Sequence, residues 1–365
     1  MLIDIALDAM GSDKSPEPEI RGAILACRQL QVRVHLIGPE RTLRPLLAKQ
    51  MHRVGARHLP IKIVQASEAI GMDEKAVHAV RAKRDSSMRV GLKLVREGAV
   101  SGFMTAGNTG AAMTTAKMVL GMLPGVDRPA LLAVLPTSTG KPCLLLDVGA
   151  NVDCRAKNLE QFALMGEMYA RTVLKIDRPR VGLLSIGEEE GKGNELTREA
   201  FPLLQRLPIR FLGNVEGRDI YNGHADVVVC DGFMGNVALK TSEGLARLVR
   251  ESLRESLTST VTAQVGALLS RKAFNDFKKR LDQSEYGGAP LLGVRGVCIV
   301  GHGSSNDRAI MNGIRVAAEF SQANLNASIE QGVISSAAAA SVPSAAVTDS
   351  FAVATGGSAA APVVE

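Results

Sequence analysis

The sequence predicts an α/β protein, a mainly parallel sheet covered by helices on both faces. Three observations predict it. Ten short apolar runs alternate with helical patterns along most of the chain. The composition is aliphatic and turn-rich, 46% hydrophobic with 36 glycines, 3% aromatics and no Trp. Three central runs, LLLDVGANVD (144–153), VGLLSIGEEEGKGNELT (181–197) and VVVCDGFMGNVALKT (227–241), each end in glycine, asparagine and acid. A buried strand that ends this way and feeds a helix is how such sheets gather an anionic ligand, with helix N-termini offering free N–H groups.

Taken in order, strand-like runs fall at 2–7, 32–37, 61–65, 102–105, 130–135, 143–148, 181–186, 209–212, 226–230 and 297–300. Between most of them lie helical patterns such as 17–30, 40–51, 74–97 and 110–121. Strands separated by helices must return to the same sheet edge, which makes neighbours parallel. The 365-residue chain is long enough to bury a large core in one domain, set here at 1–329. Region 241–283 differs: Leu245, Val249, Leu253, Leu257, Val261, Val265 and Leu269 recur every four residues. That spacing drifts about 40° per step around a helix. A break near Thr258–Gly266 is expected, then a second helix with Phe274, Phe277 and Leu281 inward, together a hairpin standing off the sheet. Residues 330–365 are rich in Ala and Ser with few charges, read as a disordered tail outside the fold.

Several function classes lose ground on motif grounds. LDAMGSDKSPEP has the wrong glycine spacing for a dinucleotide site, so NAD is not expected. GEEEGKG (187–193) is one residue short of a P-loop and ends in Gly193, and STGKP (138–142) has Pro142 after its lysine. No nucleophile elbow surrounds Ser185, because its preceding glycine, Gly182, is one place too early. The six histidines show no metal spacing, so neither a metal nor another cofactor is expected. Few aromatics argue against nucleic acid. Five cysteines without a CxxC pair read as reduced thiols of a cytosolic protein. Asp4 and Asp8 interrupt the first apolar stretch, so no signal peptide is read there. No run reaches the ~20 apolar residues of a membrane span. The net charge of +6 fits either solvated faces or an anionic partner.

The surviving candidates are polar loops. Lys192 lies between Gly191 and Gly193, which let backbone approach a ligand, and Asn194 and Thr197 follow with hydrogen-bonding side chains. Lys192 reads as an oxyanion or phosphate ligand. Asp231, Gly232 and Asn236 lie between an apolar run and a helix; Asn236 reads either as that helix's N-cap or as a substrate-facing amide. Asn108 and Thr109, then Asp147, Asn151 and Asp153, then Ser304 and Ser305, sit in three further loops where turn chemistry and ligand contact compete. His78 lies on a helix whose Arg81, Lys83 and Arg84 offer a surface to an acidic partner, and a general-base role for it stays open.

MLIDIALDAMGSD, AVRAKRDSSM, TAGNTGA, GVDRPAL, LLLDVGANVD, GKGNELT, GNVEGRD, DGFMGNVALKT, YGGAPLLG and HGSSND occur in that order up to about residue 320. Together they resemble the bacterial phosphate acyltransferases of phospholipid synthesis, the PlsX family. The resemblance implies the reaction acyl-[acyl carrier protein] plus inorganic phosphate to acyl phosphate plus free carrier. It implies a homodimer whose fold resembles phosphotransacetylases and isocitrate dehydrogenases, without their NAD or metal. It places the family's catalytic lysine on Lys192 and its asparagine on Asn236. The hairpin tip that touches membrane in relatives falls near Val261, Val265, Gly266 and Leu269. The protein is then expected in the cytoplasm, at the inner face of the membrane, handing its product to a membrane glycerol-phosphate acyltransferase. Two rivals are a short-chain acyl-CoA:phosphate transferase on the same fold and a non-catalytic membrane scaffold built on the basic hairpin.

Overall fold

The computed structural model describes residues 1–56, 58–280 and 287–340. Its strands are β1 (Ile3–Asp8), β2 (Val32–Gly38), β3 (Ile61–Gln65), β4 (Gly102–Thr105), β5 (Ala130–Pro136), β6 (Pro142–Leu146), β7 (Arg180–Leu184), β8 (Arg210–Val215), β9 (Val227–Val229), β10 (Ala289–Leu292) and β11 (Cys298–Val300). Its helices are α1 (Glu17–Gln29), α2 (Glu40–Arg53), α3 (Ala76–Ala82), α4 (Ser87–Arg96), α5 (Thr109–Val119), α6 (Ala156–Thr172), α7 (Glu195–Gln205), α8 (Asp219–Asn222), α9 (Gly232–Thr258), α10 (Val261–Leu269), α11 (Arg271–Arg280), α12 (Asp307–Gln322) and α13 (Leu325–Ala340).

The strands form one sheet in the order β3-β2-β1-β4-β11-β10-β5-β6-β9-β7-β8. Two parallel wings, β3-β2-β1-β4-β11 and β6-β9-β7-β8, flank an antiparallel seam at β10 and β5. Since β10 opposes β11, β5 opposes β10 and β6 opposes β5, the wings point in opposite directions. The register brings their C-terminal ends together nonetheless. Val300, at the end of β11, pairs with Ala289, and the pairing of Leu291 with Leu131 puts Ala289 opposite Ala133. Leu146, at the end of β6, pairs with Leu132, one residue along β5. The loops that leave both wings therefore emerge at nearly the same level.

Strands buried on both faces need apolar residues at every position, which is why β6 and β9 read as unbroken Leu and Val. Along β5 the alternation of faces is visible. Leu132 packs with Leu144, Leu146 and Phe162 on the face covered by α6, while Leu131, Ala133 and Leu135 lie with Leu145 and Val228 on the other.

The structure departs from the sequence expectations in four places. β10 was not among the expected strands; it carries Pro290, a residue rare in strand interiors, and it joins the two wings. The expected helix at 74–97 divides into α3 and α4, because Asp85 accepts hydrogen bonds from Ser67 N and Oγ at 2.7 and 2.6 Å and ties the intervening turn to the loop after β3. The hairpin opens earlier than 241, with α9 running unbroken from Gly232 until Thr260 caps α10 through Ala263 N. Phe277 is exposed rather than inward, and Leu281 lies outside the described residues. Helix α13 carries on past residue 330, with Val333 buried, to Ala340; residues 341–365 lie outside the described part of the chain.

One ion pair secures the wing that carries the central loops. Arg180, at the start of β7, donates Nε and Nη2 to the two carboxylate oxygens of Asp226 at 2.9 Å each, and its backbone N donates to Oδ2 at 2.8 Å. Burial alone would raise the Asp226 pKa, but the Arg180 hydrogen bonds and charge outweigh it and hold the carboxyl below the ordinary aspartate value. A depressed folded-state pKa means that the stabilisation is complete above the unfolded value and lost as pH falls through the folded one. Asp226→Asn is expected to lose roughly 2–3 kcal/mol at neutral pH, less than for a fully buried pair because Arg180 keeps some water. In urea titrations the gap between wild type and variant should hold from neutral pH down to about pH 4 and close below it.

Candidate active site

A cavity of about 660 Å³ lies over the seam, between the β5 floor and α9. Its walls come from both wings: Asp13 after β1, Thr109 after β4, Gly149 and Val152 after β6, Gly232 and Asn236 after β9, and Ser304 and Ser305 after β11. The three Gly/Asn-ended strands of the sequence, β6, β9 and β7, are neighbours in the sheet. Two of their loops reach the cavity walls. The third, which carries Lys192, is exposed and does not line the cavity within this chain.

Helix α9 is seated by two glycines. A Cβ on Gly232 would meet Asn151 O at 2.6 Å, and one on Gly235 would meet Asp147 O closer still. Only bare α-carbons let the first turn of α9 press against the turn at 147–151, and that contact aims Asn236 at the cavity. Gly235→Ala is expected to push α9 away, costing about 1–3 kcal/mol of stability and at least ~10-fold in turnover, as positional errors do. Near-normal turnover with an unchanged melting temperature would rule this out.

The candidate residues divide by what their polar atoms do. Asp231 caps α9, accepting from Phe233 N and Met234 N at 2.9 Å. Asn236 is therefore not the cap. It sits in the second turn on the cavity wall, and among the described residues its amide has no hydrogen-bond partner. Asn108 caps α5 through Ala111 N at 3.0 Å, and its Nδ2 donates to Met72 O at 2.9 Å and Glu74 O at 3.1 Å. Asn194 caps α7 through Thr197 N at 2.9 Å. Asp147 and Asn151 are buried: the carboxylate accepts from the backbone N of Leu131, Ala150 and Asn151 and from Asn151 Nδ2 at 2.7–3.0 Å. These residues build the loops, and five of the side chains serve helices or turns that sequence alone left undecided.

Capping also changes the expected electrostatics. The first-turn N–H groups of α5, α7, α9 and α12 are partly taken by their own caps. Side chains consequently supply much of what can meet an anion. Ser304 Oγ lies 2.8 Å from His302 Nδ1, and Ser305 Oγ donates to His302 O at 2.6 Å. Arg247 of α9 adds positive charge to the wall, which Arg250 also lines, and Lys240 is paired with Glu243 at 2.9 Å. Asp13, His302 and Arg247 escaped the sequence reading; the spacing of Asn236, Lys240, Glu243 and Arg247 on one face of α9 was the signal available for the last.

The Lys192 loop is supported from below. Asn214 Nδ2 donates to Glu189 O at 2.7 Å, and Gly193 adopts φ +104°, where a Cβ would meet Ser185 Oγ at 2.8 Å and strike Thr197. The Lys192 ammonium has no hydrogen-bond or ion-pair partner among the described residues. His78 is exposed on α3 and does not line the cavity. No described group of three or more His, Cys, Asp or Glu is placed to hold a metal ion.

Residues 3–328 match the family model described as "Fatty acid synthesis protein". A protein of Acidobacterium capsulatum named phosphate acyltransferase is 76% identical over 330 residues, covering 90% of this chain and 97% of that one. A phosphate acyltransferase of Koribacter versatilis is 62% identical, covering 91% and 93%. Among solved structures, a phosphotransacetylase from Streptococcus pyogenes superposes with a TM-score of 0.57 at 17% identity, covering 88% of this chain and 94% of the other. The EutD phosphotransacetylase from Staphylococcus aureus gives 0.55 at 14% identity with the same coverage. At such identities these two speak for the fold alone.

Proposed function

This chain belongs to the fatty acid synthesis protein family, among the phosphate acyltransferases, and on that premise we propose how its cavity works and on what substrate. The chain is an enzyme of acyl transfer to phosphate. We take the acyl donor to be acyl-[acyl carrier protein] and the step to lie early in membrane phospholipid synthesis. The observation that carries this reading is the cavity itself, in which polar loops from both wings meet an apolar floor at one level. An anion and an aliphatic chain can be held there side by side.

Inorganic phosphate is already an anionic nucleophile near neutral pH, so it needs alignment more than a strong base. One of its oxygens attacks the thioester carbonyl carbon, the carbonyl electrons collect on oxygen, and collapse expels the carrier's thiolate, which gains the phosphate proton. In this reading Asn236 donates to the developing oxyanion, and Lys192, whose exposed loop does not line this chain's own cavity, reaches the phosphate or that same oxygen by a movement of that loop or from the partner subunit of the proposed homodimer. Thr109, Ser304 and Ser305 hydrogen-bond phosphate from the opposite wing. Asn108, Asp147, Asn151, Asn194, Asp231 and Gly232 shape the loops that hold these groups in place.

We further read the protein as a homodimer that rests on a membrane surface. Val261, Val265 and Leu269 of α10 are exposed, Leu269 by 82%, and α10 buries none of its residues. Among the described residues no helix is long and apolar enough to cross a membrane, so contact would be peripheral. A membrane glycerol-phosphate acyltransferase is the expected consumer of the product.

The decisive experiment incubates the protein with purified acyl carrier substrate, with and without inorganic phosphate. Phosphate-dependent release of free carrier and hydroxylamine-trappable acyl phosphate are expected. Turnover of acetyl-CoA with none of the carrier substrate would replace the proposed donor. Liposome binding without any thioester loss would favour a scaffold.

A further inference from the structure

We propose that Ala133 and Ala289 form the seat of the acyl chain and set the chain length the enzyme accepts, an inference that rests on the acyl-transfer reading above. Continuing the register of Leu291 with Leu131 by two residues sets Ala289 opposite Ala133, so that Leu145, Ala133, Ala289 and Val300 make one row from four adjacent strands. Directly opposed residues share a face. Leu145, Ala133 and Val300 belong to the apolar layer of the cavity face, and Ala289 packs against it. The row thus has two methyl side chains at its centre and larger ones at its ends.

The neighbouring row is taller at the same two strands on one side, and on the other side at β5 and β6, since β10 begins at Ala289. Leu131 pairs with Leu291 on one side, and Leu135 with Cys143 on the other. The alanines therefore form a trough in the sheet, and Leu239 of α9 stands over it as part of the same cavity. The reacting groups lie at the Leu131 side of the trough. Val148 N donates to Leu131 O at 3.0 Å, and the next residue, Gly149, lies against Asn236. Ala133 is two residues farther along β5, about 7 Å from Leu131. A thioester carbonyl placed at Asn236 has its aliphatic chain directed past Leu131 onto the two methyl groups. No charged or hydrogen-bonding side chain belongs to the row, so a linear saturated chain is the occupant it fits.

Larger side chains in the trough should act on long chains first. Acyl-phosphate formation by wild type, Ala133→Leu and Ala289→Leu would be measured with eight-carbon and sixteen-carbon acyl carrier substrates. Both variants are expected to lower kcat/KM for the longer chain by roughly tenfold or more relative to the shorter one, the scale at which pockets discriminate methylenes. Ala289 is partly exposed, so its variant tests the idea if Ala133→Leu fails to fold, as judged by thermal melting. Folded variants whose ratio of the two rates is unmoved, or whose rates fall equally for both chains, would overturn the proposal. Wild-type protein that forms acyl phosphate from neither substrate would instead remove the acyl-transfer reading beneath it.

Discussion

Lys192→Ala is expected to lower acyl-phosphate formation by roughly 100- to 1000-fold, the usual loss when one preorganised donor to a developing charge is removed. The same change should leave the melting temperature where it is. The ammonium has no partner among the described residues, and the loop is held by Asn214 and by the close packing of Gly193 on Thr197 and Ser185, none of which involves the lysine side chain. Loss of an expendable surface charge would leave turnover and melting temperature both unchanged, and loss of a structural one would move stability first. Hydroxylamine trapping at saturating acyl carrier substrate separates these outcomes. Lys192→Arg should recover little, because the planar guanidinium does not replace a compact ammonium at a fixed distance. Turnover within a few-fold of wild type would remove Lys192 from the site.

Asp147→Ala should have the largest effect on stability, roughly 3–5 kcal/mol. The carboxylate is fully buried and is the acceptor for three backbone N–H groups and the Asn151 amide. Burial pushes its pKa above the ordinary aspartate value while the four donors pull it down. Truncation strands all four in a space too enclosed for full hydration, at about 1–3 kcal/mol for each donor left unpaired, less what entering water recovers. The damage should spread to catalysis, since Gly235 of α9 rests on the Asp147 carbonyl. A shift in urea midpoint at constant m-value would measure it, and a loss under 1 kcal/mol would contradict the role described. Asp147→Asn, which keeps one acceptor oxygen, should fall between the two.

The contrast between these residues shows what could be read from sequence and what could not. Asp147, Asn151, Asn108, Asn194 and Asp231 share the local signature of Asn236: a small polar residue just beyond an apolar run. Five of the six are occupied by capping or turn hydrogen bonds, and Asn236 alone among them has its amide on the cavity wall without a partner among the described residues. Sequence favours capping for all of them by the same rule, and a difference of five positions along α9 decides which one caps. β10 was hidden for a related reason. Its proline and neighbouring glycines are turn signals, and only its two partners make it a strand.

By itself the sequence determined the α/β class, most strand positions, the break before α10 and the family, because burial on both faces of a sheet writes unbroken apolar runs into the chain and long ordered motifs survive as text. The tertiary structure alone decided that opposed wings meet at one level, that α9 closes over the seam and that two alanines far apart in the chain lie side by side. Those facts depend on strand register and on close backbone approach at Gly232 and Gly235. Both are set by contacts between distant segments, and no local pattern of residues encodes them.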